Sequence, residues 1–159
     1  MWWSDRRTIL LGLTALAGCG FTPVYGPGST ASTLRDRVQI TAPATIDGYA
    51  LLQALRDRLG NSAAPIYDLS VTLTITEVPA ATTPAGSTTR YTLPGSASFT
   101  LSGQNGTPLV TGTVDSFTSY SATGSTVATS AAQTDARARL AVILAEQIVT
   151  RLSVADLTP

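Results

Sequence analysis

The chain has 159 residues, with ten basic and ten acidic side chains, so its formal charge is zero. Every basic residue is an arginine, there is no histidine, and Cys19 is the only cysteine. These absences exclude Ser-His-Asp, Cys-His and Ser-Lys nucleophile systems, zinc sites built on His and Cys, and the lysine-bearing phosphate loop. A near-neutral body also lacks the basic footprint of a nucleic-acid binder. The carboxylates are scattered along the chain, whereas a calcium site needs them clustered. No cofactor, no metal and no catalytic residue is expected, although two sequence-distant carboxylates could still meet in a fold.

The first residues set the chain's destination. Arg6 and Arg7 precede an apolar run from Thr8 to Ala17 that carries Ile9, Leu10, Leu11, Leu13 and Leu16. A positive start, a short apolar stretch and small residues before a cut site describe a secretory signal. The run is about half of the ~20 residues a membrane-spanning helix needs. Leu16-Ala17-Gly18-Cys19 resembles the lipobox cut ahead of its cysteine by lipoprotein signal peptidase. Residues 1–18 are therefore read as signal, and Cys19 as the lipid-bearing first residue of the mature protein, carrying acyl chains such as palmitate. Gly20 is unlike the Asp that resembles an inner-membrane retention mark, so the outer membrane is the expected destination. Arg6-Arg7-Thr8-Ile9-Leu10 faintly resembles a twin-arginine signal, and the export route stays open.

Residues 20–34 are rich in Pro, Gly, Ser and Thr and read as a mobile tether; the domain boundaries drawn are a tether over 19–36 and one domain over 37–155. A short strand with Val38 and Ile40 ends at Pro43. Asp47 then looks like an N-cap, and Tyr49, Leu51, Leu52, Leu55 and Leu59 fall at helical spacing up to Gly60, predicting a helix over 48–59. From Tyr67 to Ile75 apolar and polar residues alternate, which predicts a strand with one buried face. Residues 79–89 read as a flexible loop. A third strand is expected over 90–101, with Pro94-Gly95 marking a bulge or an edge position. Gly103-Gln104-Asn105-Gly106 signals a hairpin, and a fourth strand of unclear phase covers 109–120. A loop follows over 121–129. Ser130 with Gln133 resembles a capping box, opening a helix over 131–153 whose face is Ala136, Leu140, Ile143, Leu144, Ile148 and Leu152.

The predicted order is β-α-β-β-β-α, an α+β two-layer sandwich. Strands one and two, joined by a helix, run parallel with a right-handed crossover. The remaining strands form an antiparallel meander. This gives a four-stranded mixed sheet with two helices on one face and a Thr/Ser-rich second face. Tyr49, Tyr67, Tyr91 and Phe99 are expected in the core. Phe21 and Tyr25 lie in the tether, where they could pack on a partner or at the membrane surface.

At this point the residues resemble a known family, the LptE lipopolysaccharide-assembly lipoproteins in their alphaproteobacterial form. The resemblance is carried by Cys19-Gly20-Phe21-Thr22-Pro23-Val24-Tyr25-Gly26 behind the lipobox, by the helix from Leu51 to Gly60, and by the strand from Leu93 to Leu101. It continues through Ser119-Tyr120 to Ala128, then Asp135-Ala136-Arg137 with Leu140, and Leu144-Ala145, Ile148 and Arg151-Leu152. The resemblance implies a non-enzymatic role: plugging and assembling the outer-membrane β-barrel LptD so that lipopolysaccharide reaches the outer leaflet. Its implied partners are LptD, lipopolysaccharide and the outer membrane. Two rival readings are an accessory of another outer-membrane machine and a lipid-binding lipoprotein; the latter needs a large apolar cavity.

The topology puts the loops 43–47, 79–89 and 121–129 at the end of the domain away from the tether, and 60–65 and 102–107 near it. The two longest distal loops carry no charge, which suits adaptation to a barrel wall, and Ser87 and Ser125 are the candidate contacts. Arg90 is the one cation between Arg58 and Arg137. It has two readings, a solvated strand-end charge or a ligand for the phosphates of lipid A. Arg137, Arg139 and Arg151 read as helix-surface charges or barrel contacts.

Overall fold

The computed structural model describes residues 30–157. It contains α1 (Thr30–Leu34), β1 (Val38–Thr41), α2 (Ile46–Leu59), β2 (Tyr67–Ile75), β3 (Val78–Thr82), β4 (Thr88–Gly103), β5 (Pro108–Ser121) and α3 (Thr126–Ser153). Both long helices pack on one face of a mixed sheet. The Cys19, Phe21 and Tyr25 expectations, and the signal itself, lie outside the described residues.

β1 is parallel to β2, with Val38 opposite Tyr67 and Ile40 opposite Leu69. β2 and β3 lie one after the other along the same side of β4, pairing with Gly95–Gly103 and Thr88–Thr92 respectively. β5 covers the other side of β4 from Arg90 to Ser102. The sheet is thus four strands wide, as the hydropathy pattern predicts. The expected loop over 79–89 is corrected: its ends are strand, and only residues 83–87 turn the chain. There Thr83 and Ser87 close the hairpin, Thr83 N–H donating to Ser87 O at 2.8 Å.

Pro94 is neither at an edge nor in a bulge. Its carbonyl accepts from Thr76 N–H at 3.0 Å, and in an antiparallel strand a residue's nitrogen and carbonyl point to the same side. The missing proline N–H therefore falls where β2 has ended and β3 has not begun. Next to it, Gly95 lets α3 come close, since a Cβ there would lie 2.8 Å from Leu140 Cδ2. The one irregularity in the β4–β5 ladder is between Leu101 and Ser102, beside the Asn105-Gly106 turn.

β5 looked phaseless because its inward positions include Gly112, Ser116 and Thr118 among the apolar ones, while Phe117 points outward and is 69% exposed. Thr118 is buried, and its hydroxyl donates to Ala136 O at 2.9 Å. A buried hydroxyl without a partner would cost roughly 1–3 kcal/mol, so this bond fixes where α3 crosses the sheet.

The core joins Leu51, Leu55 and Leu59 of α2, Leu69, Leu93, Ala97, Phe99 and Leu101 of the sheet, and Leu140, Leu144, Ile148 and Leu152 of α3. Tyr67 and Tyr91 pack against it and are partly buried. Tyr49 is corrected: it is 62% exposed. The face of α2 is filled by Gly48, Leu51, Leu55 and Leu59 instead. Ile143 is only half-buried, with Ala141, Ala145 and Val149 taking the neighbouring core positions on α3.

Helix ends also shift. α2 is capped by Thr45 rather than Asp47, with Thr45 Oγ1 accepting from Gly48 N at 3.1 Å. Gly60 terminates it in the left-handed region, φ 83°, as glycine favours. α3 starts at Thr126, a turn and more before the expected position, capped by Ser125. Ser130 is inside the helix, where its carbonyl accepts from Thr134 Oγ1. Finally, Thr30–Leu34, within the segment expected as tether, are a turn of helix with Leu34 buried in the core.

Gly48 yields a prediction with an unusual sign. An interior helix glycine replaced by alanine ordinarily gains about 1 kcal/mol. Here the new Cβ would meet the backbone oxygen of Pro43 at 2.1 Å. Gly48→Ala should instead destabilise the domain, by about 1–3 kcal/mol, as read by urea denaturation.

Candidate functional site

Strand directions place the 83–87 turn and the 122–125 connection at the same end of the domain, opposite the Asn105-Gly106 turn. This distal end is a three-stranded arm of β3, β4 and β5 under the first turns of α3. Both of its turns are uncharged: Thr83-Pro84-Ala85-Gly86-Ser87 and Ala122-Thr123-Gly124-Ser125. Ser87 is exposed, and its N–H is held by Thr83 Oγ1 at 3.1 Å. Ser125 is exposed too, but it is no loop tip. Its Oγ accepts from Ala128 N at 3.3 Å as the cap of α3. The exposed apolar residue at this tip is Val127, 80% accessible.

Arg90 pairs through its backbone with Ala81 on one side and Ser121 on the other. Its side chain is exposed on the sheet face that carries no helix, and it makes no ion pair among the described residues. That face is built from Ser70, Thr72, Ser96, Ser98, Thr111 and Thr113 and their neighbours, with Asp68 and Asp115 as acids. Ser98 and Thr113 hydroxyls meet across strands at 3.0 Å.

Behind the arm lies a charge cluster that sequence spacing did not reveal. Arg137 of α3 donates to Asp47 of α2 at 2.8 Å and lies 3.7 Å from Glu77, in the β2–β3 corner. Gln133 Nε2 also donates to Glu77, at 2.6 Å. All three charged side chains are less than a third exposed. Tyr120 belongs to the same group: it stacks on Tyr91 at 5.3 Å between ring centroids. Burial, then the hydrogen bond and charge of Glu77, push its phenol above the ordinary value near 10. The cluster pins two helices and the strand corner together. Of the three helix arginines, Arg137 is thus a tertiary contact and Arg139 pairs locally with Asp135 at 2.8 Å. Residues 47, 77 and 137 are distant in sequence, and no local pattern joins them.

No group of His, Cys, Asp and Glu among the described residues could hold a metal ion. A groove of about 590 Å³ runs between β5 and α3, lined by Thr113, Val114, Ile143, Gln147, Thr150 and Arg151 together with two acids. It is an open groove of mixed polar and apolar lining, unlike the enclosed apolar cavity a lipid carrier needs. No helix among the described residues is long and apolar enough to cross a membrane.

The partly buried cluster and an exposed surface pair should differ in what they contribute to stability. Arg137→Ala takes the counter-charge from two partly buried carboxylates, Asp47 and Glu77, the latter still held by Gln133, and should cost about 1–3 kcal/mol. Arg58→Ala, which breaks an ion pair with Glu146 that is half-exposed on both sides, should cost less than about 1 kcal/mol. Denaturation of both variants checks the ranking. For Tyr120, the folded protein holds the phenolic proton more tightly than the unfolded chain does. The resulting stability is complete below pH ~10 and is lost as pH rises toward the raised folded value. Alkaline melts of Tyr120→Phe should lack that part of the decline.

Comparison with known proteins places this geometry. The model of the LptE lipopolysaccharide-assembly family matches residues 35–152. Among solved structures, a protein from Caulobacter crescentus CB15 described as a lipoprotein is 26% identical, with a TM-score of 0.64, covering 78% of this chain and 92% of its own. A minor lipoprotein from Acinetobacter baumannii is 22% identical, with a TM-score of 0.59 over 74% of this chain and 90% of its own. Rare lipoprotein B from Shewanella oneidensis shares the fold at 11% identity and a TM-score of 0.56, covering 74% and 92%. No functionally curated protein matches the chain in sequence. The family match spans α2, the whole sheet and nearly all of α3, so the chain belongs to the LptE lipopolysaccharide-assembly family.

Proposed function

We propose that this protein is an outer-membrane lipoprotein, anchored through Cys19, that plugs the lumen of the LptD β-barrel and helps assemble it for lipopolysaccharide insertion into the outer leaflet. The role is scaffolding and binding, with no reaction. The observation that carries the reading is the family match over residues 35–152, essentially the entire folded domain. The distal arm supports it. Its turns carry no charge, so they can enter a lumen without leaving an unpaired ion against the wall, which would be costly. The groove between β5 and α3 is open and of mixed lining, which weighs against the lipid-carrier rival.

Ser87 and the tip around Ser125 are the proposed barrel contacts, with Phe21 and Tyr25 joining from the segment ahead of the domain. Arg90 is the proposed lipopolysaccharide ligand: an unpaired, exposed guanidinium is free to take a phosphate in a charge-assisted, bidentate bond.

Photocrosslinkers test the insertion. Position 87 and position 127, chosen because Ser125 is needed as a cap, should capture LptD in cells, whereas Asn105 should not. Capture from Asn105 alone would overturn the orientation. Arg90→Ala should weaken lipopolysaccharide binding by roughly tenfold or more, given about 1.5–3 kcal/mol for a hydrogen bond to a charged group. Unchanged affinity in a direct binding assay removes Arg90 from the site.

A further inference from the structure

The two edges of the sheet are treated very differently. On one side β1 is four residues long, and β3 contains Pro79 and two register shifts. Short strands, proline and bulges are the devices that keep an edge from pairing with another chain. β5, on the other side, has fourteen residues. Between Thr111 and Ser121 it has no proline, no register shift and a single charge, Asp115.

Which groups point outward follows from the ladder. Ala122 N–H donates to Thr89 O at 2.9 Å, and the register runs unbroken from Arg90 opposite Ser121 to Leu101 opposite Val110. Alternate residues of an antiparallel strand face the neighbour. Even-numbered residues of β5 therefore bond to β4, and Thr111, Thr113, Asp115, Phe117, Ser119 and Ser121 turn their N–H and C=O groups away from it. None of these outward groups has a backbone partner among the described residues. Two further features border the same edge. Phe117 is largely exposed on the hydroxyl-lined face, and the groove between β5 and α3 opens on the other face, with Val114, Ile143 and Arg151 in its walls. A strand added to β5 would cover the Phe117 ring with one set of side chains and fill the groove with the alternate set.

We infer that the outer edge of β5 is a strand-addition site that takes an extended segment of the barrel subunit, with a cationic side chain facing Asp115. This rests on the reading given under Proposed function. A closed barrel has no free edge of its own, so the segment must come from one of its loops or termini. A second copy of this chain fits poorly. Asp115 sits near the middle of β5, so any antiparallel pairing of two copies with good overlap sets the two carboxylates opposite or diagonal to each other. Like charges so placed are destabilising.

Residue-resolved amide hydrogen exchange tests this on the full-length lipoprotein, alone and in the complex purified from outer membranes with LptD. In the isolated protein, amides of the even residues of β5 should be protected, and those of Thr111, Thr113, Phe117 and Ser119 should exchange freely. In the complex these four should slow at least tenfold. If LptD is present and they exchange as in the free protein, the edge proposal is overturned while the family role stands. Protection in the isolated protein that grows with its concentration would mean that a second copy covers the edge, which also overturns it. If no LptD co-purifies, the barrel reading fails and takes this inference with it. Thr113→Pro removes an outward N–H and the exposed hydroxyl contact with Ser98, but no ladder bond to β4. It should leave the melting transition cooperative and reduce recovery of the complex at least fivefold; full recovery also counts against the proposal.

Discussion

A strand in the middle of a sheet must have its N–H and C=O groups taken on both sides, because water cannot reach them there. β4 meets this demand with β5 along one side and with β2 and β3 in succession along the other. The single donor that β4 lacks, at Pro94, falls at the joint between β2 and β3. That joint is also where the chain turns through Glu77, whose carboxylate faces Gln133 and Arg137. Gly95, the next residue, removes the side chain that would keep α3 at a distance. Pairing, corner and helix docking thus meet within a few residues of β4.

The bare face and the packed face are consequences of the same alternation. Positions facing the helices supply Leu93, Ala97, Phe99 and Leu101, and positions facing away supply serine and threonine. With both helices on one side, the other side keeps its hydroxyls, and the exposed Arg90 and Phe117 stand among them. β5 contributes to the bare face, through Phe117, and also supplies a long unpaired edge.

Much of this architecture could be read from periodicity. The alternation in Tyr67–Ile75, the Asn105-Gly106 turn and the leucines of α2 each carry local signals, and the parallel crossover follows from handedness. The failures have physical causes. Residues 78–82 form a strand through pairing with β4, although their own composition of Pro, Ala and Thr favours a loop. Tyr49 has helical spacing, but the buried position in the first turn of α2 is Gly48, where the Pro43 carbonyl leaves no room for a side chain. The cap of α3 was misplaced because two serines, 125 and 130, offer the same local chemistry, and only the packing of the strand end selects the first. For the site, Arg90 was legible as an isolated cation. The Asp47–Arg137–Glu77 cluster was not, since its members meet only after the sheet has formed. The free edge of β5 was also out of reach, because an edge is a property of the whole sheet.

α1 has a mechanical consequence. Thr30 donates its hydroxyl to Ala155 O at 3.1 Å, and Leu34 is buried in the core. The first described turn of the chain is therefore fastened just past the end of α3, and the two described ends of the chain lie at the same pole. Tension applied at Thr30 would be borne by the contacts of α1, that bond and the Leu34 side chain among them. The sheet would feel a load applied at Thr30 only after α1 had peeled away.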